Sequence, residues 1–177
     1  ERTRPAGHHP CAIYARAGRP GATVPGVDVP YEPATAPELT IDTTRESVER
    51  AGARVADLAR TLGRRAAAPG RVGGWAVWIS GRPGSGKTTV ASGLCERLST
   101  RGVRATVLDA AEVADFIAAG SPMSPSHREI VTRAIVEAAR LLNDAGMPVV
   151  VDGASWLGDG DPLGREAIDG FAQVELA

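Results

Sequence analysis

The sequence predicts a single α/β domain built on a doubly wound parallel sheet, and three observations carry that expectation. Short apolar runs alternate with amphipathic helical stretches from residue 38 to the end of the chain. A strand over residues 75–80 leads straight into Gly81-Arg82-Pro83-Gly84-Ser85-Gly86-Lys87-Thr88, the G-x-x-x-x-G-K-[ST] pattern of a phosphate-binding loop. The residues after that run are helical, so strand, loop and helix follow in the order that phosphate binding requires. The expected class is therefore the P-loop NTPase type.

Each element has its own signal. Glu38 to Thr43 reads as a strand, and Thr43 with Glu46 is expected to cap a helix running to about Leu62. Val48, Ala51, Val55, Leu58 and Leu62 form its apolar stripe. Arg64 to Gly74 (RRAAAPGRVGG) is a linker. Trp75 to Ser80 is a buried strand bounded by Gly73, Gly74 and Gly81. A helix follows from Lys87 to about Ser99, with Ala91, Leu94, Cys95 and Leu98 on one face.

Arg104 to Asp109 and Pro148 to Asp152 are two further strands, each ending in Asp. Between them Ser126-His127-Arg128-Glu129 is a capping box opening a helix to about Ala145, stopped by Gly146 and Pro148. A last strand spans Ala172 to Leu176. Residues 1–37, rich in Gly, Pro, Ala and Arg, are expected to be irregular and mobile. Strands alternating with helices call for a parallel sheet covered on both faces.

Composition narrows the function classes. Among 177 residues, 43% are hydrophobic and 23% charged, enough apolar material for a core and too much for general disorder. A net charge of -1 gives no electrostatic case for a nucleic-acid partner. No apolar run approaches the roughly 20 residues that span a bilayer, so no membrane partner is expected. Cys11 and Cys95 make neither a disulfide framework nor a zinc site, and His8, His9 and His127 lack metal-ligand spacing. Two free thiols fit a cytoplasmic protein. The chain begins at Glu1, which reads as a cropped or processed start.

Nineteen of the 20 basic residues are Arg, and Lys87 is the one Lys. It sits where a compact ammonium fits between phosphate oxygens and a planar guanidinium does not. The amides of residues 82–88 are expected to nest the β-phosphate of ATP, with Lys87 spanning the β- and γ-phosphates. Gly81, Arg82, Pro83, Gly84, Ser85, Gly86, Lys87, Thr88 and Thr89 are thus the nucleotide-binding candidates. Thr88 supplies a hydroxyl to Mg²⁺. Asp109 and Asp152, at strand ends, lie where a doubly wound sheet presents groups to its ligands. Asp152 takes the place of a carboxylate that holds Mg²⁺ through water, and Asp109 that of a group that orients or deprotonates the acceptor.

With these pieces in place, the chain resembles the adenylylsulfate kinase family, in two blocks of reversed order. Residues 75–177 look like the first two-thirds of that family. Residues 12–62 look like its last third, through Ala15-Arg16-Ala17-Gly18, Gly26-Val27-Asp28-Val29-Pro30-Tyr31-Glu32-Pro33 and Pro37-Glu38-Leu39-Thr40-Ile41-Asp42-Thr43. The resemblance implies a circular permutation of one domain. Residues 1–63 would give a lid segment with the last strand and helix, 64–74 would join the family's usual ends, and 75–177 would be the nucleotide-binding part. Residues 177 and 1 would then be neighbours, the strand at 75–80 central and the strand at 38–43 at an edge. The competing account is a cropped piece of a longer polypeptide.

The family's acceptor is adenosine 5′-phosphosulfate, and the residues that grip it are only partly matched. The D-G-D-x-x-R motif reads Asp109-Ala110-Ala111-Glu112-Val113-Ala114, keeping the first Asp alone. The D-R-x-x-N motif reads His127-Arg128-Glu129-Ile130-Val131, keeping Arg128. Arg133, Ser155 and the lid residue Arg16 match further family positions, while Trp156 replaces a proline. An aromatic of the family's lid has no counterpart from Pro20 to Gly26. Each Arg pairs with phosphate or sulfate, or lies on a solvated helix face.

The expected function is transfer of the γ-phosphoryl of Mg·ATP to a hydroxyl of a small acceptor, adenosine 5′-phosphosulfate or another metabolite. The alternatives are a nucleotide-binding regulatory module of a larger protein, and ATP hydrolysis coupled to movement. A homodimer or flanking domains are the partner expectations.

Overall fold

The computed structural model describes residues 18, 31, 33–66, 74–118, 124–153 and 160–177. In chain order the elements are β1 (Leu39–Ile41), α1 (Val48–Ala66), β2 (Ala76–Gly81), α2 (Lys87–Ser99) and β3 (Thr106–Asp109). Then come α3 (Ala110–Ala118), α4 (Pro125–Asp144), β4 (Val149–Asp152), α5 (Gly160–Ala167) and β5 (Phe171–Leu176). The five strands form one sheet of order β1-β5-β2-β4-β3, parallel throughout. The strand leading into the phosphate loop is central and β1 is an edge, as expected.

Alternation along β2 sorts the core into two layers. Val77 and Ile79 face α1 and α2, packing with Ala51, Val55, Ala59 and Leu62 of α1 and Val90, Ala91, Leu94 and Leu98 of α2. Ala76 and Trp78 face the other way, toward Ala110 and Ala114 of α3 and Val131, Ile135 and Ala139 of α4. Both faces of the sheet are therefore covered, which is why its inner strands are apolar on both sides. Among the described residues, no helix is long and apolar enough to cross a membrane.

The structure corrects several local expectations. Helix α1 begins at Val48, where the Ser47 hydroxyl accepts from the Arg50 amide at 3.4 Å, so Thr43 and Glu46 do not cap it. Thr43 instead donates its amide to the Ala177 carbonyl at 3.1 Å, holding the end of β1 beside the end of β5. Val48 at the helix start is 44% exposed and drops out of the stripe, whereas Ala56 and Ala59 join the buried set. The helix also runs on to Ala66, into the stretch expected to be linker.

Helix α4 is capped by Ser124, two residues before the expected box. Its hydroxyl accepts from the His127 amide at 3.2 Å, and Pro125 occupies the first turn, where a missing N–H costs nothing. Glu129 is left to pair with Arg133 across one turn. Helices α3 and α5 had no counterpart in the expected element list. For α3 the signal was present: Asp109 and Glu112 stand three apart, and the Asp109 carboxylate caps the amides of Ala111 and Glu112 at 2.8 and 3.2 Å. For α5, two glycines and a proline in Gly160-Asp161-Pro162-Leu163-Gly164 concealed it.

Candidate active site

The phosphate loop leaves β2 at the C-terminal edge of the sheet and enters α2 at Lys87. Its conformation demands glycine. Gly86 caps α2 at φ 88° and Gly84 has φ 80°, both left-handed. Gly81 is constrained by contact as well as torsion: a Cβ there would stand 2.5 Å from the Leu176 carbonyl oxygen and 2.7 Å from Ser85 Oγ. The end of β5 thus braces the start of the loop.

Lys87 folds back over the loop, donating to the carbonyls of Gly81 at 3.0 Å and Arg82 at 2.9 Å. Burial pushes its pKa down, while the carboxylates of Asp152 and Glu175 oppose the shift. Two acids therefore bear on this ammonium, one from each strand flanking β2. Ser85 Oγ is buried with no hydrogen-bond partner among the described residues. An orphaned hydroxyl inside a glycine-rich loop fits a group that arrives with the ligand. Thr88 and Thr89 are exposed in the first turn of α2.

Asp152 ends β4 in register with Ile79 of β2 and with Asp109 of β3. The two carboxylates and the loop therefore lie along one edge of the sheet, where the sequence placed them. Asp152 is buried, and by strand alternation it shares the α2 side of the sheet with Val150. Its carboxylate and the Thr88 hydroxyl are hard oxygen donors suited to Mg²⁺, which takes one or two protein ligands and completes its shell with phosphate and water. Among the described residues no cluster of three or more His, Cys, Asp or Glu offers an all-protein cage.

On the other side the arrangement differs. Asp109 is half-buried, with one oxygen committed to capping α3. Arg128 is half-buried near the start of α4, and its Nε, like Nδ1 of His127, is buried with no partner among the described residues. Arg133 is 69% exposed and pairs with Glu129 at 3.0 Å. It lines a groove between α4 and α5 with Val136 and Leu163, none of whose lining residues belongs to the phosphate loop. Arg16 and Ser155, with Trp156, lie outside the described residues, as do Cys11 and most of the expected lid, of which Gly18, Tyr31 and residues 33–37 are described.

Sequence reading passed over Glu175. It is 5% exposed in β5, opposite Ser80 of β2. Its carboxylate accepts hydrogen bonds from Ser80 Oγ and from the hydroxyl of Tyr31. The signal was an acidic residue two positions after Gln173 in the apolar run Phe171-Ala172-Gln173-Val174-Glu175-Leu176, which puts both polar side chains on one buried face.

A five-stranded parallel sheet with helices on both faces and a glycine-rich loop off its central strand defines a P-loop nucleotide-binding protein of the small-kinase type. The family model for adenylylsulphate kinase matches residues 73–171, more than half of the chain. The chain belongs to that family.

Its relatives agree over the same stretch. An adenylyl-sulfate kinase of Deinococcus deserti is 36% identical over 95 residues, covering 54% of this chain and 50% of the relative. A probable adenylyl-sulfate kinase of Archaeoglobus fulgidus is 32% identical over 98 residues, 55% of this chain and 63% of its own length. The chain spans about half the length of the curated relatives it matches. Among solved structures, the APS kinase CysC of Mycobacterium tuberculosis in complex with AMPPNP and APS is similar with a TM-score of 0.52 and 32% identity. That match covers 59% of this chain and 62% of the other.

Proposed function

We propose that this protein transfers the γ-phosphoryl group of Mg·ATP to a hydroxyl of adenosine 5′-phosphosulfate. The observation that carries the reading is the phosphate loop: its glycines hold left-handed torsions, and Lys87 is poised over it between two acids. Swinging from the carbonyls of Gly81 and Arg82 onto phosphate oxygens, the Lys87 ammonium neutralises charge on the transferring group. Loop amides orient the β-phosphate. Asp109 accepts or orients the acceptor hydroxyl proton, and Arg128 pairs with the acceptor's anionic end. Thr88 and Asp152 would hold Mg²⁺, which supplies charge neutralisation at the phosphates.

The connectivity follows the same reading. Residues 1–63, the joining stretch 64–74 and residues 75–177 would form one circularly permuted domain. Two observations support it. Strand β1 pairs with β5 from Leu39 opposite Val174 to Ile41 opposite Leu176. Residues 38–66 lie outside the stretch matched by the family model, yet β1 and α1 complete the same sheet and core layer. Chain ends at surface positions make such rearrangement tolerable.

The test is transfer of label from γ-labelled ATP. Label appearing in an adenylate product, dependent on adenosine 5′-phosphosulfate, supports the assignment. Label released only as inorganic phosphate, at a rate indifferent to that acceptor, would overturn it.

A further inference from the structure

Beyond the loop itself, the described residues hold one buried ionisable group for which the proposed chemistry has no use. Glu175 lies on the α4 and α5 side of the sheet, across β2 from Asp152. Among the described residues its hydrogen-bond donors are neutral: Tyr31 Oη on one oxygen and Ser80 Oγ on the other. A buried carboxylate is costly unless its charge does something or is balanced. The Lys87 ammonium feels this carboxylate through space.

The geometry gives that acid a task. Ser80 is the residue immediately before Gly81, and the Gly81 carbonyl is one of the two that hold the Lys87 ammonium. Ser80 is gripped from several directions. Its hydroxyl meets Glu175, takes a bond from Gln173 Nε2 at 3.0 Å and reaches the Val174 carbonyl at 3.3 Å. The ladder sets Ser80 opposite Glu175 and Gly81 opposite Leu176, so the backbone and the carboxylate fix the same peptide. Tyr31 closes the cluster. Burial, reinforced by the carboxylate, raises its phenol above the ordinary range, so it remains a hydrogen-bond donor.

We propose that Glu175 and Tyr31 are positioning residues for Lys87, fixing the Ser80–Gly81 peptide from which the ammonium is handed to the nucleotide's terminal phosphates. The inference rests on the reading that the loop binds Mg·ATP. It extends the nucleotide site to β5 and to Tyr31, which the phosphate-loop motif does not include.

The experiment titrates a fluorescent, non-hydrolysable ATP analogue and the matching ADP analogue against wild type, K87A, E175L, E175Q and Y31F, with thermal unfolding alongside. A misplaced Lys87 costs the triphosphate more than the diphosphate, because the γ-phosphate depends on that ammonium. In E175L, triphosphate affinity should fall about tenfold more than diphosphate affinity, the scale of one charge-assisted hydrogen bond. E175Q should recover most of that loss. Its amide still accepts from Tyr31 while Ser80 turns its hydroxyl to Val174. Y31F should fall between them, and it leaves every strand residue in place should E175L fold poorly.

Global destabilisation lowers the unfolding temperature without changing the ratio of the two affinities. An unchanged ratio in both E175L and Y31F would overturn the inference, as would E175Q as impaired as E175L. If K87A binds the triphosphate as tightly as wild type, the loop reading itself fails, and this inference with it.

Discussion

On the side of β2 and α2, the residues that would hold a nucleotide form one contiguous run braced by neighbouring strands. On the side of α3 and α4, the residues that would hold an acceptor are scattered, and most of the family's motif positions carry other side chains. Gly81 cannot gain even a Cβ without striking Leu176. By contrast, Ala111 and Ala114 stand where the family's second Asp and Arg would be, on a helix whose first turn Asp109 caps. A site made of backbone and glycine is locked by packing. A site made of side chain tips is free to change while the fold persists.

The largest effects should fall on the nucleotide side. K87A should lower acceptor-dependent turnover by about 10³-fold, the scale of losing a preorganised charge on a transferring phosphoryl group. Lys87 Nζ bonds the carbonyls of buried Gly81 and exposed Arg82, so thermal unfolding run alongside separates lost stability from lost chemistry. D152N comes next, with kcat reduced about 10- to 100-fold and a higher Mg²⁺ concentration needed for half-maximal rate. A Mg²⁺ titration at fixed ATP reads this directly, and an unchanged midpoint would remove Asp152 from the metal's shell.

Asp109 sharpens the comparison, because it holds a structural and a chemical place at once. Asn caps helices as well as Asp does, so D109N should keep the unfolding temperature while losing turnover. D109A should lose both, with about 1 kcal/mol of stability gone with the cap. Equal turnover in wild type and D109N would make Asp109 a cap alone. R133A is expected to leave turnover within about twofold, since an exposed i,i+4 pair contributes little.

The smallest effect concerns acid stability. Burial alone would raise the pKa of Glu38, but hydrogen bonds from Arg165 and the Gln173 amide outweigh it and hold the carboxyl below its ordinary value of 4.5. A carboxylate depressed in the folded state stabilises fully above its unfolded pKa, and that contribution fades as pH falls toward the folded one. Wild type should therefore lose stability on acidification below pH 4.5 more steeply than E38Q, measured by urea unfolding across that range. Parallel curves would contradict the assignment.

How much of this was legible follows the same division. The central strand, the loop, the neighbouring edges and both strand-end carboxylates could be read from local pattern, because periodicity and glycine spacing act within a dozen residues. Helix starts were less legible. Ser124 and Ser47 compete with Ser126 and Thr43 for the cap, and only tertiary packing decides which turn is first. Glu175 and Tyr31 were invisible as a pair, since 144 residues separate them in the chain. Apart from Asp109, the acceptor side was legible only as a resemblance, with Arg16 and Ser155 outside the described residues.

The central claim is that an intact phosphate loop still serves transfer although its acceptor side has changed. ADP release from Mg·ATP, with and without adenosine 5′-phosphosulfate, in wild type and K87A, tests it most directly. The account predicts release that the acceptor stimulates and that K87A abolishes. Release indifferent to the acceptor, or persisting in K87A, would contradict it.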